Sequence, residues 1–540
     1  MKRTICFILA ALFVLLFTAC NTGKNNTTTS TTSTQIVSGS QEDQTASAEY
    51  DDTIVFSFIT DVTSLDCQFA NDGYSWSISK MVYNNLVKYN SDDEITADLA
   101  ESYELSDDGL TWRFKLRQGI MFHNGKSLTV DDVKFTFDRA LDPGNGFPIT
   151  NIINMVDSTE IIDGHTFAIH LKYSFGPFLN LLASPFLGIL DREYVEKYGD
   201  SFGLNAESIN GTGPYKLVSW STDEEVVLVR NEEYFGTLAK TKNLIYRPIP
   251  DASARIIALE TGEVDFIYSI PTIEIPRLQE NANITVSQKS GIGVMFFRFG
   301  CNDTIMSNSL VRQAINFAVD RREIYEVCFK GRGEISTAPM GSGIWGYKNL
   351  GVIEQDLDKA RALLAQAGYP DGFETRIITT PFYDKSTEAA EIMSDQLAKI
   401  GITARIEVLE WSTHVEMRSG KTPDEFDWPI FFMGMGSATG DADGMMRGLL
   451  TTTETGTNVR NYGFYSNQEL DELVFEAMGE TDPVRRKELY EKAANILYFE
   501  DPPGVYLIES VTVAAYTNKL ENPTISRFAY FTFENATKKK

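Results

Sequence analysis

DGLTWRFKLRQGIMFHNGKSLTVDDVKFTFDRAL, running from Asp108 to Leu141, is the stretch on which the reading of this chain turns. Asp107-Asp108-Gly109 is turn chemistry. The residues after it, Thr111-Trp112-Arg113-Phe114-Lys115-Leu116, alternate in character as one strand of a hairpin does when a single face is buried. Gly119 to Ser127 (GIMFHNGKS) approaches a phosphate-binding loop, but five residues rather than four separate Gly119 from Gly125, so that reading is set aside.

The same alternation of signals continues on both sides. Thr53-Ile54-Val55-Phe56-Ser57-Phe58-Ile59 reads as a strand. Helices dominate further on: Asp356 caps a helix over Leu357 to Ala367 that ends before Gly368, and Ser466 with Glu469 forms a capping-box pattern ahead of Leu470 to Met478. Asp482-Pro483 opens another, with Pro at the first helical position and Leu489, Ala493, Ile496 and Leu497 as its apolar stripe. The chain is therefore mixed α and β. No period of 20 to 50 residues repeats, which excludes solenoids and propellers.

The N-terminus decides location. Lys2 and Arg3 precede an apolar run from Ile5 to Phe17, and Phe17-Thr18-Ala19-Cys20 closes it, which describes an exported precursor. A cysteine directly after small residues resembles a lipobox, although Phe17 stands where Leu is usual. Residues 1–19 are then a signal peptide and Cys20 is the lipidated mature N-terminus, held stably because two or three acyl chains on one residue anchor where one does not. Residues 20–49, crowded with Thr, Ser, Asn and Gln, cannot offset the entropy of ordering and read as a tether reaching roughly 30 Å. The expected place is the extracytoplasmic face of a bacterial cell membrane.

The formal net charge of −27 becomes two units more acidic once Lys2 and Arg3 are removed, which argues against nucleic acid and against anionic membranes as partners. With Cys6 in the signal and Cys20 taken by the lipid anchor, Cys67, Cys301 and Cys328 make no disulfide framework and read as three buried free thiols. The histidines are His123, His165, His170 and His414, without an HExxH pair or Cys/His cluster. There is no GxSxG elbow, and Asp441-Ala442-Asp443-Gly444 lacks the remaining acids of a calcium loop. No catalytic residue, metal ligand or cofactor is expected.

DLAESY (Asp98 to Tyr103), the opening stretch, NGTGPYKLVSW (Asn210 to Trp220), RNEEYFG (Arg230 to Gly236), IPDASARIIALETGEVDF (Ile249 to Phe266), VRQAINFAVDRREI (Val311 to Ile324) and DLDKARALLAQAGYPDGF (Asp356 to Phe373) follow one another in order. The set resembles the family 5 solute-binding proteins of peptide and nickel ABC importers, over about residues 53 to 535. Within it, Gly211, Gly213 and Pro214 are read as shaping a turn and Gly262 as closing a helix. The resemblance implies an α/β, two-lobed, periplasmic-binding-protein-like clamshell of type II. Lobe I would span 50–298, with an extra subdomain at about 86–199, lobe II 299–505, and residues 506–540 would return to lobe I. Gly291 to Phe296 and Gly504 to Ile508 would be the crossing segments. It further implies a monomer that captures peptide between its lobes and hands it to permease subunits served by cytoplasmic ATPases.

Phe431 to Leu450 (FFMGMGSATGDADGMMRGLL) resembles the lobe II loop lying along bound ligand in that family, where Gly434, Gly436 and Gly440 permit close backbone approach. Dipeptide binders carry an Asp in this loop for the ligand ammonium; Ala438 stands there instead. No carboxylate-binding Arg appears near Thr380 to Tyr383. Ser437, Ala438, Thr439 and Asp441, with Asp384 to Thr387, look like the glutathione-binding branch, Met435-Gly436 replacing its usual Trp. Asp72, Tyr74 and Trp76 in lobe I, and Trp345, Tyr383 and Trp411 in lobe II, would supply aromatic walls and polar contacts. Arg447 would meet a ligand carboxylate or pair internally with Asp441 or Asp443, and a ligand amine would stay in water or meet Asp441 or Asp72. Two alternatives accompany this reading: nickel-chelate or haem binding on the same fold, and a peptide-sensing or chaperone-like lipoprotein.

Overall fold

The computed structural model describes residues 50–70, 72–90, 94–418, 421–437, 439–452 and 461–540. The signal, Cys20 and the tether lie outside the described residues. Among the described residues no helix is long and apolar enough to cross a membrane.

A ten-stranded sheet organises the molecule. Numbered in chain order, its strands are β1 Thr53–Ser57, β2 Tyr215–Ser221, β3 Glu225–Arg230, β4 Asn243–Tyr246, β5 Phe266–Tyr268, β6 Ile284–Phe299, β7 Glu374–Thr379, β8 Thr403–Val408, β9 Ile430–Gly436 and β10 Gly504–Thr517. Their spatial order is β8-β7-β9-β6-β10-β5-β1-β4-β3-β2. The two longest, β6 with 16 residues and β10 with 14, run antiparallel side by side and belong to both halves. Their first and last stretches, Ile284–Ser290 against Val511–Thr517, complete the half that holds β5, β1, β4, β3 and β2. Val294–Arg298 against Gly504–Glu509 complete the half that holds β9, β7 and β8. A register shift between Ser290 and Val294 marks the passage.

Burial patterns follow from this division. Phe56, Phe58, Tyr246 and Phe266 pack with Phe531 and Phe533 of the C-terminal tail in the first lobe, while Phe296, Tyr506, Phe431 and Tyr490 share a core in the second. Val294, Phe296, Phe297 and Tyr506 to Ile508 pack in the cores that also hold residues of β7 and β9. A separate core from Leu86 to Ile189 lies under a four-stranded antiparallel sheet. Val195 packs with the main first-lobe core.

Local signals explain the elements. Ala100–Leu105 and Thr111–Leu116 form the expected hairpin, with Phe114 and Leu116 buried and Arg113 and Lys115 in water; Gly109 supplies its turn at φ +71°. In Gly119 to Ser127 the chain folds into a tight turn instead of a phosphate cradle, and Lys126 pairs with Asp191 at 2.8 Å. Gly211 and Gly213 do more than turn the chain: a Cβ on either would stand 2.0 to 2.6 Å from the Val82 carbonyl oxygen, which accepts from Gly213 N–H at 2.8 Å. Close approach demands glycine there. Cys67 and Cys328 are buried and Cys301 half-buried, all three free.

Candidate functional site

The passage between lobes is built from bare backbone. A Cβ on Gly341 would meet Gly293 O at 2.6 Å, one on Gly343 would meet Gly291 O at 2.5 Å, and one on Gly436 would meet Ile292 O at 2.8 Å. The turn at Gly341–Gly343 therefore lies directly on the crossing strand. Glu509 on β10 fastens it by accepting the Ser342 N–H at 2.9 Å and the Ser342 hydroxyl; burial pushes that carboxyl upward.

β9 leads into the loop expected to lie along ligand. Ser437, fully buried, accepts Asp441 N–H at 3.2 Å and donates to the Asp441 carbonyl at 2.6 Å, closing a turn whose next element is the helix Ala442–Leu450. Asp441 caps that helix by accepting Asp443 N–H and forms a two-pronged ion pair with Arg486, one contact at 2.8 Å. Burial raises the Asp441 carboxyl against the pull of Arg486; burial also lowers the guanidinium, which the Asp441 carboxylate more than reverses. Arg486 lies 4.5 Å from the Trp345 ring, and Trp345 N–H donates to Gly440 O at 2.8 Å. Arg447 grips Asp443 at 2.8 and 2.7 Å. Ala438 lies outside the described residues.

Several expected ligand groups are spent on the protein itself. Asp72 caps the helix Gly73–Val82, accepting from Tyr74 N–H, Ser75 N–H, the Ser75 hydroxyl and the Thr63 hydroxyl. Trp76, half-buried, donates its indole N–H to Ala70 O and meets Phe186 edge-on at 4.9 Å, packing against the subdomain core. Asp441, Arg447 and Asp72 are thus each engaged within the protein, Arg447 in the internal pair with Asp443 that its sequence position allowed.

Tyr383 and Trp411 do come together. Phe382 stacks on Trp411 at 3.9 Å, Tyr383 meets Trp411 edge-on at 5.7 Å, and Gly434 leaves room beside Tyr383. On the first lobe Tyr74 packs against Phe58 and Tyr268. Between the lobes Thr272 donates to Asp384 at 2.8 Å, and Arg332 donates to Thr272 at 3.1 Å. Sequence reasoning missed Tyr268, Thr272 and Arg332; nothing in their local sequence distinguishes them from core or surface residues. A cavity of about 1290 Å³ is lined by Trp345, Arg486, Lys289, Asn180 and Arg527 among others. Of the expected residues, Trp345 alone borders it. Among the described residues no three His, Cys, Asp or Glu side chains gather as a metal site.

This geometry has recognisable relatives. The model of the bacterial extracellular solute-binding proteins, family 5 (middle), matches residues 94–457. The chain belongs to this family. The glutathione-binding protein GsiB of Escherichia coli (strain K12) is 31% identical over 484 residues, covering 89% of this chain and 94% of that protein. The structure of HbpA2 from Haemophilus parasuis is similar with a TM-score of 0.81 at 28% identity, covering 90% of this chain and 100% of that one. DppA from Helicobacter pylori, in complex with the peptide STSA, gives 0.73 at 29% identity, covering 91% and 100%. The family 5 chain described here thus has the two-lobed α/β fold of periplasmic binding proteins and a substrate-binding role.

Proposed function

We propose that this family 5 protein is the lipid-anchored, extracytoplasmic binding component of an ABC importer, acting as a monomer that encloses peptides and presents them to the permease. The observation that carries the peptide reading is the ligand loop. It offers main chain at Gly434 beside an aromatic wall of Tyr383, Phe382 and Trp411, while Asp441 and Arg447 are already neutralised within the protein. Such a wall accepts apolar side chains and repeats of amide groups, and it does not require a fixed charge on the ligand. With Asp72 and Asp441 engaged, a ligand amine is left in water or held by carbonyl groups, because a buried ammonium without a partner is costly. Peptides of three or more residues satisfy this, and glutathione is included because of the GsiB relatives. No catalytic step is part of the proposal: a bound peptide leaves intact.

Native mass spectrometry of the purified protein, followed by calorimetry with glutathione and with tri- and tetrapeptides, tests the reading. Recovery of intact peptide and binding to at least one of these is expected. Recovery of a nickel chelate or haem, with no peptide binding, would replace it.

A further inference from the structure

Three side chains of the first lobe converge on the main chain of the ligand loop and of the Gly341–Gly343 turn beside it. Tyr89 Oη donates to Thr439 O at 2.9 Å. Arg527 Nη1 donates to Gly343 O at 2.7 Å, and Gly343 precedes Trp345, whose N–H holds Gly440 O. Phe528 occupies the space where Gly440 would carry a side chain: a Cβ there would lie 2.6 Å from Phe528 Cζ and 3.1 Å from Arg527 Nη2, at φ +66°. The three are also one unit. The Arg527 guanidinium sits 5.0 Å from both the Tyr89 and Phe528 ring centres, and those rings are 5.2 Å apart. Arg527 is 8% exposed, and Asn180 donates to the Tyr89 oxygen at 3.2 Å.

We propose that Tyr89, Arg527 and Phe528 form a latch on the main chain of the ligand loop, with Arg527 as its positioning residue, and that the latch populates the closed form without ligand contact. Its acceptors are carbonyl oxygens and a bare Cα, so it reads the conformation of the loop and not the identity of what the loop binds. A latch of this kind changes closure for every ligand by the same factor, because its free energy enters each binding equilibrium equally. Gly440 is its keyhole.

The test is small-angle scattering on the mature chain shown by native mass spectrometry to be ligand-free, with thermal unfolding as the control for folding. Wild type is expected to scatter as a closed molecule. Tyr89→Phe removes one oxygen and is expected to shift the closed-to-open ratio about two- to tenfold, the range of one net hydrogen bond; Arg527→Ala should shift it further. Gly440→Ala should open the molecule, and adding Phe528→Leu should restore part of the closed population by vacating the clashing ring. If Arg527→Ala does not fold, Tyr89→Phe alone decides. A wild-type protein that is open without ligand, or variants that scatter as wild type does, would overturn the latch.

Discussion

At the scale of single residues, the Asp441–Arg486 pair defines the ligand loop more than any side chain facing the cleft. Both groups are buried, and Arg486, on the helix Pro483–Asn495, also donates to Ala477 O, so the pair ties the loop to that helix and to the helix Gln468–Gly479. Arg486→Met strands a buried carboxylate and should lower stability by about 3 to 5 kcal/mol, whereas Asp441→Asn with Arg486→Met should recover most of that loss. Chemical denaturation of the single and double variants measures it. His414 offers a second test. It is fully buried, neither ring nitrogen has a partner among the described residues, and burial with nearby Arg418 lowers its pKa to about 4. A base whose pKa falls on folding takes up protons more readily when unfolded. Its neutral form therefore favours the fold above the usual imidazole value near 6.5, and that stability is lost as pH falls from 6.5 through 4. His414→Leu should flatten the decline in denaturation midpoint over that window; an unchanged slope would assign the decline to other groups, His123 first.

At the scale of elements, the sequence speaks where physics is local. Alternation over Thr111–Leu116, the Asp356 cap, Pro483 at a first helical turn and Gly262 at φ +78° after the helix Ala252–Thr261 are all settled within a few residues, and all are found. One cap is displaced. Asn467, not Ser466, accepts the Leu470 N–H, while Ser466 turns to the Thr452 hydroxyl; the Ser-x-x-Glu spacing was there, but Asn one residue later serves the same role with better reach. Asn467→Ala should cost about 1 kcal/mol and Ser466→Ala no more than about 0.5, measured by denaturant midpoints at constant slope. The site was less legible for a related reason. Whether Trp76 or Trp411 faces a ligand depends on which element packs behind it, and Phe186 and Ala70, which claim Trp76, come from different distances along the chain. Likewise no pattern near Asp441 announces Arg486, 45 residues away.

At the scale of the whole molecule, location and packing can be tested together. Cys20→Ala should move the protein from the membrane pellet to the soluble extracytoplasmic fraction, because the signal leaves no other lipid-accepting thiol; membrane fractionation with lipid labelling shows it, and retention in the pellet would refute the anchor. The Gly341–Gly343 turn lies on Gly291–Gly293 with no room for side chains. Gly343→Ala, which would set a Cβ 2.5 Å from the Gly291 carbonyl oxygen, should cost about 1 to 3 kcal/mol of stability by thermal or chemical unfolding.

The pairing of β6 with β10 carries one more consequence, which concerns time. Their partners, such as Ile284 and Thr517, are separated by the whole second lobe, and the first lobe is sealed only when Phe531 and Phe533 reach its core. A chain emerging from a translocation channel in N-to-C order can therefore not finish its first-made lobe until its last residues arrive. The intervening lobe must fold, or at least stay soluble, in the meantime. Long-range closure of this kind slows folding and lengthens exposure of apolar strand edges, so truncation after residue 520 should leave the second lobe's strands able to pair while the first is lost to proteolysis.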